Sequence, residues 1–257
     1  MTTVGERAAR SWDAQSYDRV GGPMTAMAIA VLARLPLAGD ETVLDAGCGT
    51  GRVTQILVDR LPRGRVIAVD ADPAMVALAS ANLGRRAEVL EADLLELQLA
   101  EPVDAIFSTA TLHWILDHPR LFERLAANLR PGGRLVAQCG GRGNVSALKG
   151  IADQLAAGPR LRGFFDGWQP PWYYPGPEET ATLLTALGFT GVRTWLEPWP
   201  VVPDQPEEYL ATVPLGPYVQ QLPEHLRSDF VDAVIDRLGR PVAVDYVRLN
   251  IDATKPA

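Results

Sequence analysis

A glycine-rich segment near the start of the chain constrains the fold more than any other feature. Residues 43–54 read Val-Leu-Asp-Ala-Gly-Cys-Gly-Thr-Gly-Arg-Val-Thr, which predicts a short apolar strand over 43–47, a glycine turn, and an amphipathic helix over 51–61. Glycine permits positive φ angles and a close approach of backbone to a ligand. The first N–H groups of the helix, and the positive end of its dipole, point into the same turn. The segment therefore predicts an α/β fold with a ligand at this turn.

Two further predicted strands end in a carboxylate. Asp70 follows the apolar run 66–69, and Asp93 follows residues 89–92. A carboxylate at the end of the strand after a glycine turn can accept hydrogen bonds from both hydroxyls of a ribose. The turn and the two acids together predict a nucleoside-binding site at one edge of a sheet.

Predicted strands and helices alternate as far as residue 139. Alternation at this spacing is typical of a parallel sheet with helices on both faces. Asp72-Pro73 predicts a helix start, with Asp72 as the N-cap and Pro73 in the first turn. The predicted strands are 43–47, 65–70, 86–90, 103–108 and 133–139, and the predicted helices are 24–35, 51–61, 73–83 and 119–129.

This ordered set of motifs resembles the class I S-adenosylmethionine-dependent methyltransferases. The segment 45–51 is similar to their D-x-G-x-G-x-G loop, and 129–135 is similar to their L-x-P-G-G turn before the fifth strand. The similarity covers residues 40–140, and the rest of the chain more loosely resembles the trans-aconitate methyltransferase-like branch. The resemblance implies a Rossmann-like sheet of seven mostly parallel strands, with helices on both faces and helical insertions after strands five and six.

The resemblance also implies one domain over residues 1–257. Its parts would be N-terminal helices that cover the cofactor over 1–40, the cofactor-binding core over 41–140, and acceptor-side insertions with the last strands over 141–257. For the last part we expect helices over 145–157, 178–187, 206–212 and 224–238, and strands over 191–197 and 242–251.

The implied cofactor is S-adenosyl-L-methionine, which leaves as S-adenosyl-L-homocysteine. Gly47 and Gly49 would admit its close approach, and Asp45 would orient its methionine end. Asp70 would accept from the ribose hydroxyls and Asp93 from the adenine amino group. For Asp45 and Asp93, turn formation or helix capping is the alternative, and for Met75 it is packing in the core. The other residues expected at the cofactor are Trp12, Ala71, Met75, Ala92, Leu94 and Thr109.

Two side chains are candidates for the reacting region. By the same resemblance, the N-terminal segment folds over the cofactor and Tyr17 borders the methyl group. His113 follows the fourth predicted strand, where open α/β sheets bind ligands. We expect its imidazole to face the cofactor carboxylate or the methyl acceptor. Packing on the sheet is the alternative for Tyr17, and capping or packing is the alternative for His113.

Residues 158–177 form a predicted loop rich in aromatic residues and proline. A structureless segment of this length in a compact domain is usually functional or disordered, and its aromatic content argues against disorder. We interpret it as a lid over the acceptor, with simple surface packing as the alternative. The residues expected to contact the acceptor are Trp114, Trp172, Tyr173 and Tyr174.

The expected acceptor is a small molecule, and O-methylation of a carboxylic acid is the reaction that the branch suggests. A carboxylate is already nucleophilic, whereas an alcohol, a phenol or an amine needs a base. Recognition of a carboxylate would need an arginine or a ring of hydroxyls. Arg160, Arg162 and Arg248 are the candidates, with solvation at the surface as the alternative for each.

Composition and charge narrow the kinds of partner, metal site and cellular location that we expect. The net charge of −7 argues against a nucleic-acid partner, because phosphate contacts need clustered Lys and Arg. Cys48 and Cys139 have no zinc-like spacing, so we expect neither a metal site nor a disulfide framework. The longest apolar run, 26–33, is too short to cross a bilayer, and no signal-peptide pattern is seen. We therefore expect a cytoplasmic protein without a membrane partner, and the sequence leaves monomer and homodimer open.

Two other functions remain open at this point. A nicotinamide-dependent oxidoreductase would normally show G-x-G-x-x-G, with its third glycine one position later than Gly51. It would also give no role to Asp93 or to the turn at 131–133. A non-catalytic module that binds S-adenosylmethionine would need only the cofactor half of the chain.

Overall fold

Residues 12–257 are described in the computed structural model of the chain, and they contain one sheet of seven strands. The strands are β1 (Thr42–Ala46), β2 (Arg65–Asp70), β3 (Glu88–Glu91), β4 (Val103–Thr109), β5 (Leu129–Gly140), β6 (Thr190–Pro198) and β7 (Val247–Thr254). Their order is β3-β2-β1-β4-β5-β7-β6. Strands β1 to β5 pair in parallel, and β7 is antiparallel to both of its neighbours, β5 and β6. The predicted seven-stranded, mostly parallel α/β sheet is confirmed.

Helices cover both faces of this sheet. The helices of the described part are α1 (Ala14–Val20), α2 (Gly22–Leu32), α3 (Arg52–Asp59), α4 (Pro73–Leu83), α5 (His118–Asn128), α6 (Ser146–Ala156), α7 (Pro177–Ala186), α8 (Pro206–Thr212), α9 (Gly216–Gln221) and α10 (Glu224–Leu238). Neighbouring residues of β1 show the two faces: Val43 packs with α2 and α3, whereas Leu44 packs with α5 and α7. This alternation is expected, because successive side chains of a strand point to opposite faces.

A further apolar cluster lies outside this layered core. It joins α1 and α2 to the helices inserted after β5 and β6, through Val20 and Met24 on one side and Tyr209, Tyr218 and Phe230 on the other. The predicted insertions after the fifth and sixth strands are confirmed. Because α1 and α2 pack on these insertions, the N-terminal segment and the inserted helices share one apolar cluster.

Several elements differ from the sequence-based expectation; the fifth strand, for example, begins at Leu129 rather than at residue 133. The final strand begins at Val247 and ends at Thr254 rather than covering 242–251, because continuous pairing with β6 starts only at Val247. Before it, Val244 makes a single bridge with Val201. Helix α2 covers Gly22–Leu32 rather than 24–35, and α9 was not predicted.

The N-terminal covering segment is described only from Trp12 onward, and the part of that prediction over residues 1–11 lies outside the described residues. Within the described chain, no helix combines the length and the apolar character that crossing a bilayer requires.

Candidate active site

The glycine loop follows β1 and lies at the edge of the sheet where the parallel strands have their carboxyl ends. Gly47, Gly49 and Gly51 all have positive φ angles, of 87°, 55° and 80°. A Cβ atom on Gly47 would lie 2.1 Å from Oγ1 of Thr111, whereas a Cβ on Gly49 would meet nothing within 4 Å. Gly47 is therefore required by packing against Thr111, and Gly49 leaves bare backbone facing open space, as the close approach of a cofactor requires.

The carboxylate of Asp70 is fixed beside this bare backbone. Its Oδ2 accepts the N–H of Gly49 at 2.9 Å, and its Oδ1 accepts the N–H of Asp72 at 3.0 Å. Burial raises the pKa of Asp70, and the two N–H donors oppose that effect. Each oxygen keeps a further lone pair. The side chain is therefore fixed beside the glycine loop with acceptor capacity to spare, and its role at the ribose stays a prediction.

Asp45 lies deeper, between β1 and α3. It is 2% exposed, and its Oδ2 accepts from Oγ1 of Thr54 at 2.7 Å. Burial raises the pKa of Asp45 to about 7, and the negative charge of Asp70 adds to the increase. This contact ties the strand to the helix after the glycine loop, and the predicted role of Asp45 at the methionine end stays a prediction.

Two acids connect the N-terminal segment to the start of α4 and to the glycine loop. Oδ2 of Asp72, the N-cap of α4, accepts the N–H of Trp12 at 2.8 Å. Oδ1 of Asp18, on α1, accepts from Oγ1 of Thr50 at 2.8 Å and pairs with Arg52 at 3.1 Å. These bonds place α1 beside the loop, and its predicted role as a cover over the cofactor stays a prediction. The sequence does not single out Asp18, because its partners are 32 and 34 residues away.

The second acid, Asp93, follows β3 at the same edge. The N–H of Ala92 donates to the carbonyl of Asp70 at 3.0 Å, which holds the ends of β2 and β3 together. Asp93 is exposed, and its Oδ1 accepts the N–H of Leu95 at 2.8 Å, a turn contact of the kind considered as its alternative. Its role at the adenine stays a prediction.

The other predicted cofactor residues lie around the same edge. Ala71 is exposed and directly follows Asp70, Thr109 is the last residue of β4, and Leu94 and Met75 are buried. Met75 also donates its N–H to Asp72 within the first turn of α4.

The chain after β4 is strained. Ala110 has a positive φ angle of 55°, which is unusual for a residue with a Cβ atom. Its N–H donates to the carbonyl of Gln138 at 2.8 Å, and the short 3₁₀ turn Leu112–Trp114 follows directly. Backbone strain of this kind concentrates at functional sites. Ala110 thus marks the position where the chain leaves the sheet and enters the site, and nothing in its residue type signals this.

His113 is buried in this turn. Its Nδ1 accepts the N–H of Gly140 at 3.3 Å, and its ring lies 4.9 Å from the ring of Trp114 and 5.6 Å from that of Tyr174. Because Nδ1 accepts, the neutral ring carries its proton on Nε2. Nδ1 is therefore hydrogen-bonded to the backbone of β5. This edge of the imidazole has a structural contact, as the packing alternative for His113 predicts.

Aromatic side chains from three segments meet beside the loop, and we call five of them the aromatic wall: Trp12, Tyr17, Trp114, Trp172 and Tyr174. Trp12 contacts Tyr17 and Trp114 edge to face, with ring centroids 5.2 and 5.5 Å apart. Trp172 lies 5.9 Å from Trp114 and stacks on Tyr174 at 6.0 Å. The wall joins the N-terminal segment, the end of β4 and the predicted lid, so four of the predicted site residues besides Tyr17 are brought together.

Tyr173 does not belong to this wall. Its ring lies edge-on to His118 at 5.1 Å and the residue is 40% exposed, while its N–H donates to the carbonyl of His113 at 2.8 Å. Because Trp172 and Tyr174 stack on each other, the side chain between them points away. The structure therefore separates Tyr173 from the other predicted acceptor residues.

The three arginines that are candidates for carboxylate recognition lie in different environments. Arg160 pairs with Asp229 at 3.0 Å on the surface, and Arg162 is exposed, so solvation accounts for both. Arg248 is 2% exposed, so the surface interpretation is wrong for this residue. Because side chains alternate along a strand, Arg248 shares one face of β7 with Asn250, and both residues are buried there.

Comparison with known proteins agrees with this geometry. A family model described as a methyltransferase domain matches residues 43–133. The chain is 30% identical to a trans-aconitate 2-methyltransferase of Escherichia coli over 210 residues, which are 72% of this chain and 81% of that protein. It is 41% identical to a trans-aconitate 2-methyltransferase of Azoarcus sp. over 128 residues. That second match spans half the length of each protein.

Solved structures show the same fold. A Haemonchus contortus phosphoethanolamine N-methyltransferase 2 in complex with S-adenosylhomocysteine superposes with a TM-score of 0.64 at 18% identity, over 95% of this chain and 57% of that one. The YcgJ protein of Bacillus subtilis superposes with a TM-score of 0.62 at 14% identity, over 91% and 98%.

These matches do not favour the nicotinamide-dependent or the non-catalytic alternative. The matched domain begins in β1 and includes the glycine loop, Asp70 and Asp93, which are the residues that suggested S-adenosylmethionine as the cofactor. By its similarity over most of the Escherichia coli protein, the chain belongs to the trans-aconitate methyltransferase family of S-adenosylmethionine-dependent methyltransferases.

Proposed function

We propose that this chain methylates a carboxylate oxygen of a small organic acid, with S-adenosylmethionine as the methyl donor. The observation that carries the proposal is the aromatic wall, which three separate segments build beside the glycine loop. The choice of a carboxylate is supported by the relatives, whose names specify trans-aconitate, an acid.

Methyl transfer to a carboxylate requires little acid–base catalysis by the protein. When bound, S-adenosylmethionine supplies a methyl group on a positively charged sulfur, and transfer to an oxygen lone pair breaks the carbon–sulfur bond and leaves a neutral thioether. A carboxylate carries no proton that must be removed first. The residues must instead hold the acceptor in line and exclude water. The aromatic wall suits both tasks, and each aromatic face stabilises a nearby cation by about 0.5–2 kcal/mol.

Each part of the site then has a proposed task. The backbone at Gly47 and Gly49 and the carboxylate of Asp70 hold the cofactor, with Asp93 at the adenine. Tyr17, which lies 5.2 Å from Trp12 within the wall, borders the methyl group. His113 positions Tyr174 and the end of β5 by its ring contact and its bond to Gly140.

The test is product analysis. The full chain is incubated with isotope-labelled S-adenosylmethionine and a panel of small acids, phenols and amines, and the products are examined by mass spectrometry. We expect a labelled methyl ester from an acid, with trans-aconitate in the panel because of the relatives' names. Label on phenols or amines alone, or cofactor binding by calorimetry without any turnover, would reject the proposal.

The wall gives a matched pair of variants. Trp172→Ala removes the ring that connects Trp114 to Tyr174, so we expect kcat/KM for the acceptor to fall about tenfold. Tyr173→Ala changes the neighbouring residue, whose ring faces His118 instead, and should leave kcat/KM near the wild-type value.

Affinity for S-adenosylhomocysteine, measured by calorimetry, should be the same in both variants and the wild type. Equal losses of kcat/KM in the two variants would mean that the loop acts only as structural support.

A further inference from the structure

Within the part of the chain that the structure describes, Arg248 is a buried cation whose Nε has no hydrogen-bond partner, and the residue is 2% exposed. Among residues 12–257, no carboxylate forms an ion pair with its guanidinium. Glu197 is its register partner on β6, but the Glu197 carboxylate accepts from Asn250 at 3.0 Å. Burying an unpaired charge is costly, so a buried guanidinium with unused donors indicates that an anion binds there.

Two hydrogen-bonded tyrosines lie near this guanidinium, which stands over the ring of one of them, Tyr246. The hydroxyl of Tyr209 donates to that of Tyr246 at 2.9 Å, and both residues are buried. The Cζ of Arg248 lies 5.7 Å from the ring centroid of Tyr246. The bond between the two hydroxyls uses one of their two protons, so the other proton is directed elsewhere. A planar guanidinium with an adjacent hydroxyl donor is a set that matches a carboxylate. We call these three residues the arginine–tyrosine site.

The sheet places this site on the acceptor side. In β5 and β7, Arg248 is in register with Gly140, whose N–H donates to His113 and whose Cα lies against the ring of Tyr174. Tyr246, Tyr209 and Tyr174 share one packed cluster. Strand β7 is three positions from β1 in the sheet, which is a lateral separation of about 14 Å between the two strands. The arginine–tyrosine site therefore adjoins the aromatic wall, away from the residues predicted for the ribose.

We propose that the arginine–tyrosine site determines acceptor specificity by binding a second, non-reacting carboxylate of the acceptor. This inference rests on the proposed function and adds a residue basis for its specificity. A carboxylate paired with a guanidinium has its charge neutralised and is a poor nucleophile. The carboxylate at Arg248 is therefore the anchor, and a different one receives the methyl group.

The test compares two acids that differ by one carboxylate, trans-glutaconate and trans-2-pentenoate. Wild type should prefer the dicarboxylate in kcat/KM, and Arg248→Met should reduce that preference by about 10- to 100-fold. Tyr246→Phe, which keeps the arginine, should reduce it by a smaller factor and covers the case in which the arginine variant does not fold. Arg160→Met, the same change at an exposed position, should not alter the preference.

A structural role for the arginine predicts a different pattern. Arg248→Met removes an unpaired buried charge, so the ligand-free variant should melt at the same temperature as wild type or higher. A lower Tm with an unchanged preference between the two acids would overturn the proposal. So would weaker S-adenosylhomocysteine binding with an unchanged preference, because the bound carboxylate would then be that of the cofactor.

A binding experiment distinguishes failure of this inference from failure of the proposed function. If wild type methylates no acid, protein saturated with S-adenosylhomocysteine is titrated with trans-glutaconate by calorimetry. Binding by wild type that is lost in Arg248→Met would support the arginine–tyrosine site although the proposed function had failed. Equal affinity of the two proteins, or binding by neither, would overturn the site.

Discussion

Replacement of Asp70 with alanine is expected to weaken S-adenosylmethionine binding by about 1–3 kcal/mol, or about 5- to 150-fold in Kd. The change removes the proposed acceptor of the ribose hydroxyls. It also leaves the N–H of Gly49, which donates to Asp70 at 2.9 Å, without its partner. Calorimetric titration with S-adenosylmethionine and with S-adenosylhomocysteine measures the loss.

Two further variants test whether the loss of affinity is specific to the carboxylate of Asp70. Asp70→Asn keeps one acceptor oxygen, so its Kd should fall between those of wild type and Asp70→Ala. Asp59→Ala removes an exposed carboxylate that pairs with Arg86 on the surface, and its Kd should equal that of wild type. An unchanged Kd for Asp70→Ala would remove Asp70 from the cofactor site.

The second large effect concerns pH and Asp45. Burial raises the pKa of this carboxyl from 3.8 to about 7 in the folded protein. The unfolded chain loses the proton near its ordinary pKa, whereas the folded chain keeps it until about 7. Between these values the folded state binds more protons, so the free energy of unfolding falls as pH rises. The slope is about 1.4 kcal/mol per pH unit, and the total is about 4 kcal/mol.

Asp45→Asn tests this dependence because an amide has the same shape and can still accept from Thr54. Urea unfolding of the cofactor-free proteins between pH 5 and pH 8 should show a falling stability for wild type and a much flatter profile for the variant. At pH 8 the variant should be the more stable protein. Asp59→Asn, at an exposed position, should follow the wild-type profile, and parallel profiles for wild type and Asp45→Asn would contradict the prediction.

The cofactor half was predictable because its signals are local. Glycines at a turn, an Asp-Pro helix start and apolar runs ending in an acid each lie within a few residues of one another. The Asp72-Pro73 start is an example: Asp72 accepts from the N–H groups of Ala74 and Met75, as an N-cap should. Such features are decided by neighbouring residues, so the sequence is enough to predict them.

The acceptor half was less predictable because distant segments decide it. Asp18 and Arg248 look like exposed polar residues, and only the packing of α1 and the insertions gives them partners or buries them. For Trp172 and Tyr173, composition predicts an aromatic loop. Which of the two rings belongs to the aromatic wall depends on the path of that loop. The helix α9 is only six residues long and begins with Gly-Pro, which carries no helical periodicity.

The clustering of indoles has an optical consequence. Four of the six tryptophans, at positions 12, 114, 168 and 172, form a continuous series with ring centroids 5.5 to 6.2 Å apart. Rings this close couple electronically, so their emission and their near-ultraviolet circular dichroism depend on the arrangement of the whole series. A molecule that binds beside the aromatic wall should therefore change the protein's own fluorescence, without a label.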